Sequence, residues 1–174
     1  MTYSDIINLW KESKEMWQSY QFAVGGVGQA IYSYFVDKLS IDSKGKERII
    51  KMIPPTEKNE EKIRNTLYAP FACVELKDDG WSEVGLVLLL EYSETAWPKQ
   101  QYRFVICIRS GADNWMVKMA KDGPVFKLSN ECKSEEIEVL WGEFERLIRF
   151  QTVDSLNNWL GIKNECSLCN INNY

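Results

Sequence analysis

The sequence VGLVLLLEY, residues 84–92, decides the fold class because it is apolar at nearly every position. A strand with one solvated face alternates apolar and polar residues, whereas a strand that is covered on both faces is apolar throughout. The stretch therefore predicts a central strand with other structure packed on both sides. Helical patterns stand before and after it, so the chain as a whole predicts an α+β fold in which helices cover a sheet.

Further segments with alternating apolar residues lie around this strand, and turn-forming residues separate them. The predicted strands are residues 67–77, 81–93, 102–110, 115–120 and 125–128. The intervening sequences KDDG, TAWPKQ, GADN and KDGP have the chemistry of hairpin turns. Because these connections are short, we expect consecutive strands to pair as a five-stranded antiparallel β-meander.

Helices are predicted at both ends of the chain. Thr2 or Ser4 can cap an N-terminal helix with an aromatic face, and the sequence AVGGVGQA, residues 23–30, then interrupts the helical pattern. Glycines of this kind favour a turn or close helix packing, and two N-terminal helices in an αα-hairpin are the simplest prediction. Ser134 can cap a C-terminal helix with Glu135 and Glu136 in its first turn, and a shorter helix ending at Gly161 follows. Both C-terminal helices are expected to pack on the sheet.

The length predicts a single domain. A chain of 174 residues can bury one full hydrophobic core and is short for two. We assign residues 1–162 to this domain. Within it, residues 40–66 are polar and charged and indicate a surface connection, and residues 163–174 form a polar tail.

Charge and hydropathy exclude several classes of protein. The net charge of −4 comes from acidic and basic residues that are mixed along the chain, which indicates neither a nucleic-acid footprint nor a mimic of the DNA backbone. Residues 16–36 lack charge but contain too many polar residues and glycines for a membrane span. The first residues have no secretory signal pattern. The sequence leaves the oligomeric state open.

Cysteine and histidine usage restricts the location and the chemistry. Five cysteines are an odd number, and Cys73, Cys107 and Cys132 fall in or beside apolar runs, which is typical of free thiols in a reducing compartment. We therefore expect a cytoplasmic protein. The chain contains no histidine, so nucleophile systems based on Ser-His or Cys-His pairs and zinc sites with histidine ligands are excluded.

The strongest catalytic motif is Glu75-Leu76-Lys77 in the sequence CVELKDDGW, residues 73–81. Alternation along a strand places Glu75 and Lys77 on one face, which is how many Mg²⁺-dependent nucleases present a metal-binding carboxylate and a lysine. The simpler interpretation, which we favour, is the solvated face of an ordinary hairpin. The carboxylates of Glu83, Glu91 and Glu94 can approach across this hairpin, but the register depends on whether the turn has two or three residues.

Two weaker motifs concern anions and metals. Four basic residues in the polar connection could contact phosphates, and a solvated loop is the alternative; they are Lys44, Lys46, Arg48 and Lys51. Cys166 and Cys169 have the CxxC spacing of half a zinc site or of a redox pair. Because they lie in the polar tail, two free thiols are the simpler interpretation.

Six of the seven tryptophans fall into two groups. Four lie on helical stripes and are predicted to belong to the core: Trp10, Trp17, Trp141 and Trp159. Trp81 and Trp97 follow or occupy turns, where large aromatic residues often contact a partner. Either ring can instead fold back over the end of the sheet.

Taken together, these patterns predict a non-catalytic cytoplasmic protein that acts by binding another macromolecule, most simply a protein, in a regulatory, inhibitory or immunity-type role. No cofactor is implied by this prediction. The alternative is a Mg²⁺-dependent nuclease or nuclease-like protein that uses Glu75 and Lys77, with Mg²⁺ as its cofactor and nucleic acid as its partner.

Overall fold

The structure is a computed structural model that describes residues 1–39, 49–90 and 100–150. It contains three α-helices and six strands within these residues, and it confirms the α+β class. In chain order the elements are α1 (Tyr3–Lys38), β1 (Ile50–Ile53), α2 (Glu60–Asn65), a 3₁₀ turn (Pro70–Cys73), β2 (Val74–Leu76), β3 (Ser82–Leu90), β4 (Gln100–Ser110), β5 (Asn114–Lys118), β6 (Phe126–Ser129) and α3 (Ser134–Arg149).

All strand pairs in the sheet are antiparallel, and the strand order is β1-β3-β4-β5-β6 with β2 also paired to β3. The strands from β2 to β6 pair consecutively: β2 with β3, β3 with β4, β4 with β5 and β5 with β6. This confirms the five-stranded meander. β1 is a sixth strand, and it lies in the segment that was predicted to be a polar connection. Its four residues are all buried, and Pro54 follows it directly. A run of four residues is too short for periodicity to reveal a strand.

The central strand β3 is covered on both faces, as its apolar sequence predicts. Leu86 and Leu88 belong to the main core, which lies between the sheet and the helices α1 and α3. Val87 and Leu89 belong to a second cluster on the opposite face, where Ile63 of α2 packs against them. The polar connection therefore supplies part of the core.

Helix α1 is one continuous helix of 36 residues, so the predicted αα-hairpin is wrong. The helix passes straight through Gly25, Gly26 and Gly28. A Cβ atom on Gly25 would lie 2.9 Å from the backbone nitrogen of Phe71. The glycine thus allows the 3₁₀ turn to approach the helix closely, and close packing rather than a turn explains its position.

The N-terminus of α1 has the predicted cap. The Thr2 hydroxyl accepts a hydrogen bond from the Asp5 backbone N–H at 3.3 Å, and the Asp5 carboxylate accepts one from the Thr2 N–H at 2.6 Å. This reciprocal arrangement satisfies two of the free N–H groups at the helix start. Thr2, and not Ser4, is therefore the capping residue.

The first predicted strand, residues 67–77, is much shorter than expected. Only Val74–Leu76 forms a strand, and Pro70 opens the 3₁₀ turn that precedes it. Because proline fixes φ and lacks an N–H group, it cannot continue a ladder of hydrogen bonds. The turn packs against α1 instead, with the ring centroid of Phe71 4.8 Å from that of Phe22.

Helix α3 closes the main core and begins at Ser134, so Lys133, and not Ser134 as predicted, is its N-cap residue. Phe144 lies at the centre of an aromatic cluster, with ring centroids 4.6 Å from Phe35, 4.8 Å from Phe104 and 5.5 Å from Trp141. Glu136 accepts hydrogen bonds from the backbone N–H and the hydroxyl of Ser129, which ties the helix start to the end of β6. The shorter helix predicted before Gly161 and the polar tail lie outside the described residues.

Candidate interaction site on helix α1

The first half of α1 carries an apolar face that the rest of the described chain does not cover. We call this face the α1 stripe; its members are Ile6, Leu9, Trp10, Ser13, Met16 and Trp17. They recur at the spacing i, i+3, i+4, i+7, i+10 and i+11, which places them on one side of the helix. Its apolar side chains are between 51% and 74% exposed.

The α1 stripe is continuous with the part of α1 that forms the core. Farther along the same helix face, Val24, Val27 and Ile31 are between 0% and 5% exposed. The helix of 36 residues is about 54 Å long, whereas the longest strand, β4 with 11 residues, spans about 37 Å. The sheet is therefore too short to cover the whole helix, and the α1 stripe extends beyond it.

Next to the α1 stripe lies a groove of about 660 Å³, between α1 and the turn that joins β2 to β3. Met16, Trp17 and Tyr20 line its helix side, and Leu76 and Trp81 line its hairpin side. Glu12 and Lys77 contribute one negative and one positive charge to the lining. A concave, mostly apolar surface with few charges is typical of a binding site.

Two of the tryptophans that were predicted to be core residues lie in this site. Trp10 is 58% exposed and Trp17 is 57% exposed, so that prediction was wrong for both. Trp141 does pack against the core, with its ring centroid 5.4 Å from that of Phe35. Trp159 lies outside the described residues. Helical spacing identifies the face of a helix, but it does not reveal how much of that face another element covers.

Trp81, one of the two predicted partner-binding residues, is half-buried at the groove. The Lys118 ammonium lies 4.5 Å from the centroid of its ring, within cation–π distance. The Trp81 backbone N–H donates to the Asp79 carboxylate at 3.0 Å. The ring is thereby held in place beside the α1 stripe. Trp97, the other predicted residue, lies outside the described residues.

The turn between β2 and β3 decides the register of the E-x-K motif. The Lys77 N–H donates to the Trp81 carbonyl at 3.0 Å, so the turn has three residues, and Gly80 adopts a positive φ of 79°. Glycine is favoured at this position because other residues are strained there. In this register Glu75 lies directly opposite Glu83.

The structure brings Glu75, Lys77 and Glu83 together. The Lys77 ammonium lies 2.7 Å from Glu75 Oε1 and 3.2 Å from Glu83 Oε2. The hydrogen bond to Glu75 is the main cause that raises the pKa of Lys77 above its ordinary value. Glu75 Oε2 is buried and has no hydrogen-bond partner within the described part of the chain.

This geometry favours an ion-pair network over a magnesium site. Mg²⁺ binds carboxylate oxygens, but here the facing oxygens of Glu75 and Glu83 are held by the Lys77 ammonium. Among residues 1–39, 49–90 and 100–150, no group of three or more acidic or cysteine side chains is close enough together to hold a metal ion. Glu75 Oε2 is the one feature here that a cation would satisfy.

The ion-pair network gives an expected pH dependence. Because the pKa of Lys77 is raised on folding from 10.5, its contribution to stability is present below pH 10.5 and is lost as the pH rises through the folded pKa. We expect the difference in thermal midpoint between wild type and Lys77→Met to shrink as the pH is raised from 8 into this alkaline range. If the difference in thermal midpoint stays constant over that range, the charged Lys77 ammonium does not stabilise the fold through Glu75.

The other predicted site residues do not form a site within the described residues. Lys51 is only 5% exposed, and its ammonium donates to the Arg64 carbonyl at the end of α2, so it does not face a surface phosphate. Lys44, Lys46 and Arg48 lie outside the described residues. So do Cys166 and Cys169.

The three described cysteines are free thiols, as predicted. Cys73 and Cys107 are buried, and Cys132 is partly buried. Burial raises the pKa of Cys73 to about 12 and also raises the pKa of Cys107 and Cys132. A thiol needs its deprotonated form to act as a nucleophile, so burial disfavours a nucleophilic role for these cysteines.

None of the helices in the described part of the chain combines the length and the apolar composition that a membrane span requires. Comparisons of the chain with known protein families, with curated proteins and with solved structures gave no match.

Proposed function

We propose that this is a non-catalytic cytoplasmic protein that acts by binding another protein through the α1 stripe and the adjoining groove, in a regulatory, inhibitory or immunity-type role. The observation that carries the proposal is the exposure of five large apolar side chains along about three turns of one helix. Monomeric proteins rarely leave a contiguous apolar surface of this extent uncovered.

The composition of the surface supports a protein partner. Trp10, Met16 and Trp17 belong to residue types that are enriched where proteins meet. Trp81 adds a rigid aromatic ring on the far side of the groove. Tryptophans in partly formed pockets are the residues that most often dominate binding energy at an interface.

A matched pair of substitutions tests the proposal. Trp17→Lys places a charge in the α1 stripe, whereas Gln18→Lys places the same charge one residue along, on an exposed position that points away from the stripe. We expect affinity capture with the tagged full chain to lose its partner with Trp17→Lys and to retain it with Gln18→Lys. Circular dichroism controls for folding. Equal capture by both variants would contradict the proposed surface.

A second candidate function is the Mg²⁺-dependent nuclease. The observation that favours it is the juxtaposition of Glu75 and Glu83 beside Lys77 on one sheet face, with Glu75 Oε2 lacking a partner within the described residues. Because the Lys77 ammonium already neutralises the facing oxygens, we place this function second.

The two functions predict opposite results for one assay. The assay measures cleavage of DNA and RNA in the presence of Mg²⁺ by wild type and by a Glu75→Gln variant. Under the binding proposal, wild type shows no more cleavage than the variant. Cleavage that Glu75→Gln abolishes, with the thermal midpoint nearly unchanged, would establish the nuclease instead. Thr66→Ala serves as a preparation control because it alters a side chain outside the Glu75–Lys77–Glu83 network.

A further inference from the structure

We propose that the partner that covers the α1 stripe is a second copy of this chain, bound so that the two α1 helices run antiparallel. This inference rests on the proposed function and names the partner of the same surface. A two-fold axis makes the surface self-complementary, so that each contact occurs twice.

The exposed area reaches what a dimer needs. From their exposed fractions, the five apolar side chains of the α1 stripe present roughly 450–700 Å² in each copy, taking about 150–250 Å² for a fully exposed large side chain. Two copies would together bury roughly 900–1,400 Å² from these side chains alone, and the upper part of this range reaches the about 1,200–2,000 Å² of stable protein interfaces.

The order of large and small residues in the α1 stripe suits an antiparallel pair. Ser13 is the one small residue among its large members. If Trp10 of one copy lies opposite Ser13 of the other, Ile6 lies opposite Trp17 because the two chains run in opposite directions. The largest side chain then fills the space over the smallest one, and this occurs twice about the axis.

The same register gives the groove an occupant. It places Tyr3 of one copy opposite Tyr20 of the other, where Trp81 forms the far wall of the groove. Tyr3, in the first turn of α1, is 79% exposed. In the dimer this first turn would insert between α1 and the β2–β3 hairpin of the second copy. The groove and the α1 stripe would thus be covered together.

Charge disfavours a lipid surface as the occupant. The first half of α1 carries two basic residues, Lys11 and Lys14, against the three acidic residues Asp5, Glu12 and Glu15. Helices that lie on membranes are rich in lysine and arginine on their polar face. The mixture of signs also leaves no block of like charge that would oppose self-association.

Sedimentation velocity of the full chain, together with the matched variants, tests the inference. We expect wild type and Gln18→Lys to be dimers at micromolar concentration. Trp17→Lys should raise the dimer dissociation constant by at least about 100-fold, since both copies carry the change. Benzoylphenylalanine in place of Trp10 should photo-crosslink to residues near Ser13 of the second copy, and the same label at Glu15, on the opposite helix face, should not.

The outcomes separate this inference from the proposed function. A wild-type monomer overturns the dimer; if Trp17→Lys still loses a captured partner of different sequence, the proposed function stands. A monomer that captures nothing overturns both. Binding of wild type, but not Trp17→Lys, to vesicles of anionic phospholipid would also overturn the dimer. A dimer that both lysine variants retain would show that copies associate elsewhere and would overturn the assigned surface.

Discussion

Replacement of Phe144 by Ala is expected to lower the free energy of unfolding by about 3–5 kcal/mol, the largest effect of any single substitution considered for this protein. Phe144 has no exposed surface, and its ring contacts Phe35 from α1, Phe104 from β4 and Trp141 from α3. Truncation leaves a cavity between all three elements. Each aromatic pair also contributes beyond the area that it buries.

The matched control is Phe150→Ala, which makes the same substitution at a position that is 58% exposed. We expect it to change stability by less than about 0.5 kcal/mol. Urea unfolding followed by tryptophan fluorescence gives both values. For a protein of this size, the Phe144→Ala variant should melt on the order of 10 °C below wild type. Similar midpoints for the two variants would contradict the docking of α3 on the sheet and α1.

Strands β3 to β6 could be predicted from the sequence because local patterns determine them. Alternating residues, turn chemistry and the apolar run of β3 all act over a few neighbouring residues, and the antiparallel pairing of β2 to β6 follows from short connections. The position of α3 follows for the same reason, since Ile137, Leu140 and Phe144 repeat at helical spacing and are buried.

The site could be predicted only in part because its geometry depends on distant contacts. The pairing of Glu75 with Glu83 follows from a three-residue turn, and a turn of two residues would have paired other side chains. The α1 stripe was recognised as an apolar helix face but was assigned to the core. Which half of a face is covered depends on the length of the sheet, and the expected break at the glycines concealed the length of α1.

Substitution of Gly25 and of Gly26 by alanine should change stability in opposite directions. Alanine is favoured over glycine in a helix by about 1 kcal/mol, and this gain applies at both positions. At Gly25, however, the added Cβ would lie 2.9 Å from the Phe71 nitrogen and 3.0 Å from its Cα. These are backbone atoms, so the 3₁₀ turn must move. We expect a net loss of about 1–3 kcal/mol for Gly25→Ala.

Gly26→Ala is the matched control, because a Cβ at Gly26 meets no atom within 4 Å. It should raise stability by about 0.5–1 kcal/mol. The sign of this change also distinguishes the two interpretations of the glycine sequence. In a turn with positive φ, alanine at Gly26 would be strained and would destabilise the protein. A stabilising Gly26→Ala beside a destabilising Gly25→Ala therefore requires one continuous helix, and with it the uncovered α1 stripe on which the proposed binding function depends.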